Sequence, residues 1–404
     1  MDAFYASVEL LRYPELRGAP VVIGGGSRHQ PEESVDPETG GTVRRFARLA
    51  DYVGRGVATT ATYEARALGV HSAMGLMKAA RLAPEAYLLP TDFVAYGQYS
   101  RRFKAAVRTI APRVEESGID EIYIDLTNVG LPPDVSVADE TAPAARERAR
   151  RVAKSIKDVV RAATGLSCSI AVTPNKLLSK IASEFGKPDG LTVLFAEEIP
   201  VRIWPLPARK INGVGPKTAA RLESLGVTTI GEMARADPAW LVENFGKSAG
   251  AWMHEAANGR DERPVVTESE PVTISRETTF ERDLSAQRDR AELSAIFTEL
   301  CHDLAGDLQR KGYVGRTIGV KVRYGNFKTL TRDRTILEPT QDMVAIRRAA
   351  GECLKRVPLE RRIRLLGVRI SGLCRREDVV PRVPYAAEPE SDWTLSLFDD
   401  RSPG

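Results

Sequence analysis

Apolar and polar positions along the 404-residue chain switch between helical and strand periods, and the switches mark its elements. Phe4, Val8 and Leu11 share a face of a short helix over Ala3–Leu11, and the apolar run Pro20–Ile23 reads as a strand. From Gly24 to Gly56 the pattern collapses into a Gly-rich polar stretch with a small helical patch near Val43–Tyr52. It is expected to be an inserted loop, longer than compact domains ordinarily carry. Five arginines balance five acidic residues there, so it gives no electrostatic hint of a partner. Helices are expected over Thr62–Leu68, before Pro84 and over Tyr96–Ile110, then a strand pair at Arg113–Glu116 and Ile119–Leu126. After a second polar loop, Asn128–Thr141, the residues Val152, Ile156, Val159 and Ala163 define one face of a long amphipathic helix. Leu166–Val172 then alternates as a half-buried strand should.

Residues 196–268 read as mostly helical with Gly-rich turns. Beyond Pro264 and Pro271, strands at Val272–Thr279, Arg316–Tyr324 and Ile363–Ile370 mix with helices near Ala291–Lys311 and Met343–Arg356. From residue 375 the chain is Pro- and Glu-rich and expected to be disordered until Trp393. The sum is an α+β multidomain protein.

Composition narrows the class. A content of 43% hydrophobic and 28% charged residues is that of a soluble globular protein. No apolar run approaches the roughly 20 residues that span a bilayer, and the N-terminus carries no secretory pattern. Cys168, Cys301, Cys353 and Cys374 are scattered, which fits a reducing cytoplasm better than a disulfide framework or a zinc site. With only four isolated histidines, a divalent metal would sit on carboxylates, favouring magnesium or manganese. Charge is uneven. Residues 271–376 hold 22 Lys+Arg against 13 Asp+Glu, while residues 377–404 hold two against seven. A basic block of that kind suits a phosphate backbone, although a solvated surface would also carry it.

The chemical centre is Ser117-Gly118-Ile119-Asp120-Glu121-Ile122-Tyr123-Ile124-Asp125. Adjacent carboxylates in a strand point to opposite faces, so Asp120 and Glu121 serve one site only beside a bend, which Gly118 supplies cheaply. A hard cation is their natural partner, and a pair of ions could drive an in-line displacement at a 3′-hydroxyl. Alone, such a pair also describes a solvated turn.

This segment resembles the motif Ser-Ile/Leu-Asp-Glu-x-Tyr-Ile/Leu-Asp of the Y-family translesion DNA polymerases, bacterial DNA polymerase IV type, with Gly118 in place of the usual serine. Four further blocks follow in family order, so the resemblance covers residues 1–373 almost continuously. Residues 2–9 are similar to the opening block, which implies that Tyr5 is the steric gate against a ribose 2′-hydroxyl, beside Phe4. Residues 57–66 are similar to the block whose Thr60, Tyr63 and Arg66 would contact the triphosphate of the incoming nucleotide. Residues 175–190 resemble the block in which Lys187 lies over that triphosphate, with Asn175 and Lys176 bracing the sheet. Residues 362–373 resemble the closing strand of the DNA-binding domain. The resemblance implies a right hand: palm 1–8 and 92–195, fingers 9–91, helical thumb 196–268 and β-rich little finger 272–374.

The turn at Gly213 and Gly215, with Lys217, is similar to a helix-hairpin-helix, which offers backbone N–H groups to DNA phosphate. A plain helical turn would read the same in isolation. In the little finger, Arg316, Lys321, Arg323, Lys328, Arg332 and Arg334 would grip the duplex, with Lys321 and Arg323 on one strand face. Thr394–Phe398 resembles the clamp-docking peptide, Leu395, Leu397 and Phe398 being its anchors and Thr394 replacing glutamine. The implied partners are primer-template DNA, dNTPs and the bacterial sliding clamp, with no membrane, and the chain is expected to be a monomer.

In the family a strand ending Asp-x-Asp runs into the opening block, and only its second Asp is present here, as Asp2. The metal set is therefore expected to be two Mg²⁺ or Mn²⁺ ions on Asp120, Glu121 and an aspartate ahead of Met1, with the Met1 backbone as a further contact. A misassigned start is the expected cause, a catalytically inactive DNA- and clamp-binding adaptor the alternative. Retention of Asp120 and Glu121 speaks against the adaptor. A nucleotide cyclase, the remaining rival, has no use for the turn at Gly213, the basic block or the tail.

Overall fold

The computed structural model describes residues 1–26, 29–35, 37, 40–131 and 140–379, so Leu395, Leu397 and Phe398 of the expected clamp peptide lie outside the described residues. One unit runs from Met1 to Glu268, and a second begins at Ser269.

Helix α1 (Phe4–Arg12) buries Phe4, Ala6 and Val8 and starts abruptly, because Ala3 takes a left-handed φ of 40°. The apolar run after it forms β1 (Val21–Gly24), wholly buried. The expected loop is instead partly paired. Strands β2 (Glu32–Val35) and β3 (Thr42–Arg45) form an antiparallel hairpin in which Glu32 faces Arg45 and Glu33 faces Arg44. Arg44 reaches Glu33 at 2.9 Å. Part of the charge balance seen in the sequence is therefore cross-strand pairing. The helical patch shrinks to one 3-10 turn, Leu49–Asp51, after β4 (Ala47–Arg48). With β5 (Ala58–Ala61), α2 (Tyr63–Ala67), α3 (Leu76–Leu82) and β6 (Tyr87–Leu89), a four-stranded sheet forms in the order β4-β6-β1-β5.

Helix α4 (Phe93–Arg108) leads into a hairpin of β7 (Val114–Glu116) and β8 (Ile122–Ile124). Helix α5 (Ala142–Thr164) buries Val152, Ala153, Ile156, Val160 and Thr164, whereas Val159 is half-buried and Ala163 exposed. The expected stripe holds at Val152 and Ile156, and beyond Ile156 the buried positions are Val160 and Thr164, at the i+4 rather than the i+3 spacing. Strands β9 (Ile170–Val172) and β10 (Leu191–Val193) pair in parallel around α6 (Lys176–Ala182). The β7–β8 and β9–β10 pairs remain separate two-stranded sheets. A cavity of about 690 Å³ is lined by both, through Ile122, Ile124, Ile170 and Val172, and by Phe103, Val107, Val152 and Ile156 of α4 and α5. Helices α7 (Ile199–Arg202), α8 (Pro216–Ser224), α9 (Ile230–Arg235), α10 (Pro238–Phe245) and α11 (Lys247–Ala257) follow. Their core also takes Leu177, Leu178 and Ile181 from α6.

The second unit holds β11 (Thr273–Leu284), α12 (Arg290–Lys311), β12 (Tyr313–Tyr324), β13 (Thr329–Thr340), α13 (Met343–Leu354) and β14 (Ile363–Arg375). Its sheet order is β11-β14-β12-β13. Ile318, Val320, Ile370 and Val368 join Phe297, Leu304 and Ile346 of the two helices in one core. Strand β13 was not among the expected strands, because its Thr-Leu-Thr-Arg-Asp-Arg start carries little apolar alternation. Its pairing with β12 from Thr317 to Arg323 holds it instead. Among the described residues no helix is long and apolar enough to cross a membrane, and the four cysteines are free.

Candidate active site

The acidic pair lies in the turn before β8, not within a strand. The N–H groups of Ser117 and Gly118 both bond the Glu121 carbonyl, at 3.1 and 3.0 Å, closing that turn. Strand alternation does not apply to residues in a turn, so Asp120 and Glu121 can line one cavity. Glycine is not what makes this possible: a Cβ at Gly118 would meet nothing within 4 Å, and its φ is not positive. Helix α4 grips the turn from behind. Ser100 Oγ donates to the Ile119 carbonyl at 2.5 Å, and the buried Lys104 Nζ donates to the Gly118 carbonyl at 2.9 Å and to Glu116 at 2.8 Å.

That cavity, about 230 Å³, is also lined by Met1, Phe4, Tyr5, Thr60, Tyr63, Arg66 and Lys187. Residues separated by up to 186 positions in sequence thus converge on one site. Arg66 at the end of α2 is aimed by its own surroundings: its guanidinium donates to the Ala61 carbonyl at 3.0 Å and to Thr60 Oγ1 at 3.3 Å. It makes no ion pair among the described residues. The Tyr63 hydroxyl is buried and finds no hydrogen-bond partner among the described residues. Burial, then the charge of Asp2, pushes its ionisation up to about 12, so it stays a donor. An unpaired buried donor beside an uncompensated guanidinium is what an anionic ligand would satisfy. Lys187 Nζ rests on Glu184 at 2.5 Å.

Tyr5 stacks on Tyr96 with ring centroids 4.3 Å apart and meets Phe93 edge-on at 5.8 Å. Burial, and secondarily the Asp120 charge, raise the Tyr5 hydroxyl above its ordinary range, so this ring is a fixed neutral wall beside the acidic pair.

Asp120 and Glu121 are hard oxygen donors, suited to magnesium or manganese. Among the described residues no group of three or more His, Cys, Asp or Glu gathers to hold an ion. The Glu121 carboxylate is meanwhile held by Lys180 of α6, a partner that sequence reasoning passed over although Lys180 sits inside the 175–190 block. Asp2 does not join the pair. It is buried and bonded by Ser167, Ser169 and the Asp189 N–H. The bracing expected of Asn175 and Lys176 is visible: Asn175 caps α6 and bonds the Gly259 carbonyl at 2.7 Å, and Lys176 bonds Glu115 of β7 at 2.7 Å.

Gly213 takes a φ of 114°, and a Cβ there would meet the Trp252 ring at 2.5 Å. Gly215 is the N-cap of α8, and Lys217 follows in its first turn. In the second unit Lys321 and Arg323 fall opposite Thr331 and Thr329, on the sheet face away from Val320 and Val322. The register sets Arg332 opposite Val320 and Arg334 opposite Ile318, so these two arginines belong to the other face, and Arg332 bonds the Arg356 carbonyl at 3.3 Å. Arg316 is exposed at the irregular step between Gly315 and Thr317.

Comparison with known proteins completes the description. The model of the impB/mucB/samB family matches residues 1–184, that of the IMS family HHH motif matches 196–227, and that of the impB/mucB/samB C-terminal domain matches 271–381. The chain is 38% identical over 380 residues to the DNA polymerase IV of Methanoculleus marisnigri, covering 93% of this chain and 94% of that protein. It is 37% identical over 373 residues to the DNA polymerase IV of Streptomyces coelicolor, covering 92% and 70%. In fold it is similar to a solved Y-family DNA polymerase chimera, with a TM-score of 0.72 at 23% identity over 92% of this chain and 96% of that one.

Proposed function

Because the chain belongs to the impB/mucB/samB family and is a Y-family DNA-directed DNA polymerase of the DNA polymerase IV type, we propose that it extends primer ends across damaged template bases at the cavity between Tyr5, Arg66 and Asp120. The observation that carries this reading is the convergence of Asp120, Glu121, Tyr5, Thr60, Tyr63, Arg66 and Lys187 on that single cavity.

In this reading Arg66, Tyr63, Thr60 and Lys187 bind the triphosphate of the dNTP. The Tyr5 ring closes the space beside the sugar and turns away a 2′-hydroxyl. Asp120 and Glu121 would hold magnesium, which when bound activates the primer hydroxyl and neutralises the leaving pyrophosphate. Glu121 must first leave Lys180, freeing an ammonium for phosphate oxygens. DNA is held through the N–H groups at Gly213 and Gly215, Lys217, and the strand face bearing Lys321 and Arg323. The protein works as a monomer, and its tail docks on the sliding clamp. Deleting Leu395–Phe398 should abolish clamp-stimulated synthesis and spare distributive extension.

The test is primer extension by the protein with and without magnesium, beside its Asp120→Ala variant. Magnesium-dependent extension lost in the variant supports the reading. Unchanged extension by Asp120→Ala would overturn its metal chemistry.

A further inference from the structure

We infer that Asp2 is a positioning residue for nucleotide binding, its buried carboxylate tying the turn after Lys187 to the start of α1, which carries Phe4 and Tyr5. This rests on the reading of Lys187 as a triphosphate ligand. Asp2 is 2% exposed. Its Oδ1 accepts from Ser169 Oγ at 2.7 Å, and its Oδ2 accepts from Ser167 Oγ at 2.9 Å and from the Asp189 N–H at 2.9 Å. Ser169 Oγ in turn accepts from the Gly190 N–H at 3.1 Å, so two consecutive amides of the turn are held by one small network.

A buried carboxylate is costly unless its lone pairs are satisfied, and here donors from three residues do so with no ion pair to Asp2 among the described residues. Such a network fixes direction as well as charge. Both chain segments that it joins are strained. Ala3, next to Asp2, has a φ of 40°, and Asp189, bonded to Asp2, has a φ of 59°. Non-glycine residues hold such angles only where their surroundings over-determine them. On its outer side the turn is pinned to α5, Asp189 pairing with Lys157 at 2.7 Å and Arg161 at 2.6 Å. Asp2 supplies the inner fixation, two residues beyond Lys187. It hydrogen-bonds neither the nucleotide-facing side chains nor the acidic pair, although its charge reaches Tyr63, so its loss should loosen phosphate binding mainly through Lys187.

The dissociation constant of a dNTP should be measured with magnesium on primer-template carrying a dideoxy-terminated primer, for the wild type, Asp2→Ala, Asp2→Asn, Lys187→Ala and the Asp2→Ala/Lys187→Ala double variant. Asp2→Ala should weaken binding about tenfold, the worth of one charge-assisted hydrogen bond. Asp2→Asn, whose single amide oxygen can still accept from Asp189, should recover most of that. In the Lys187→Ala background most of the Asp2 effect should disappear, a coupling that general destabilisation does not produce. Amide exchange at Asp189 should quicken in Asp2→Ala. If that variant does not fold, Ser169→Ala takes its place in the same cycle. Wild-type affinity in the Asp2 variant, or additive effects with Lys187→Ala, overturns the inference. A Lys187→Ala variant that binds dNTP as the wild type does defeats the reading of Lys187 itself, and the inference with it.

Discussion

Glu9 shows how one residue can store a pH dependence. It is 2% exposed, accepts from the Tyr96 hydroxyl at 2.7 Å, and burial raises its carboxyl above the ordinary Glu value. A raised folded value means the contribution of Glu9 to stability is present below its unfolded value and is lost as pH rises through the folded one. Glu9→Gln keeps an acceptor for Tyr96 without the charge. It should therefore raise the melting temperature relative to wild type at pH 8 and show no such gain near pH 4. Equal shifts at both values would show that the charge is not what costs stability. The motif singled out Tyr5 as a candidate, whereas its stacking on Tyr96 was not legible, since nothing in sequence ties position 5 to position 96. The same holds for the Lys180–Glu121 pair, which joins α6 to the turn before β8.

Among elements, the acidic hairpin and the turn before α8 make opposite points about glycine. At Gly118 the side-chain direction is open, so Gly118→Ser should fold and extend primers as the parent does, with melting temperatures unchanged. At Gly213 both the positive φ and the Trp252 ring forbid a side chain. Gly213→Ala should cost on the order of 1–3 kcal/mol, measured by denaturant unfolding, and weaken DNA binding with it. The hairpin depends instead on Lys104, buried between Glu116 and the Gly118 carbonyl. Lys104→Met should destabilise by about 3 kcal/mol, because part of the Glu116 charge and a carbonyl lose their partner. Helix α5 was legible from its period, and Val152 and Ile156 are buried as expected, yet after Ile156 the buried positions are Val160 and Thr164, since apolar periodicity names a stripe and packing chooses its centre. Strand β13 escaped notice because its neighbour β12, not its own alternation, makes it a strand.

At the scale of the molecule, each unit carries its own core. The sheet of the second unit and helices α12 and α13 bury a continuous cluster from Ile274 to Ile370, so residues 269–379 produced alone should melt cooperatively by calorimetry. A broad, non-cooperative transition would show that this core depends on the first unit. The basic excess of residues 271–376 predicts duplex affinity that falls steeply with salt, with a log–log slope near the number of phosphates neutralised. Replacing Lys321 and Arg323 together should flatten that slope by about two, whereas replacing Arg332 should change it less because it lies on the opposite sheet face. Fold class and the order of the parts were readable along the chain, because apolar period and turn residues are local properties. Asp120, Glu121, Arg66 and Lys187 could be picked out as candidates too, because carboxylate and guanidinium groups carry the same chemistry wherever they are placed. Only the tertiary structure decided that these groups share one cavity, that Asp2 is spent on Ser167, Ser169 and Asp189, and that Arg332 turns from the face of Lys321. Those outcomes depend on distances between residues far apart in sequence, and packing alone sets such distances.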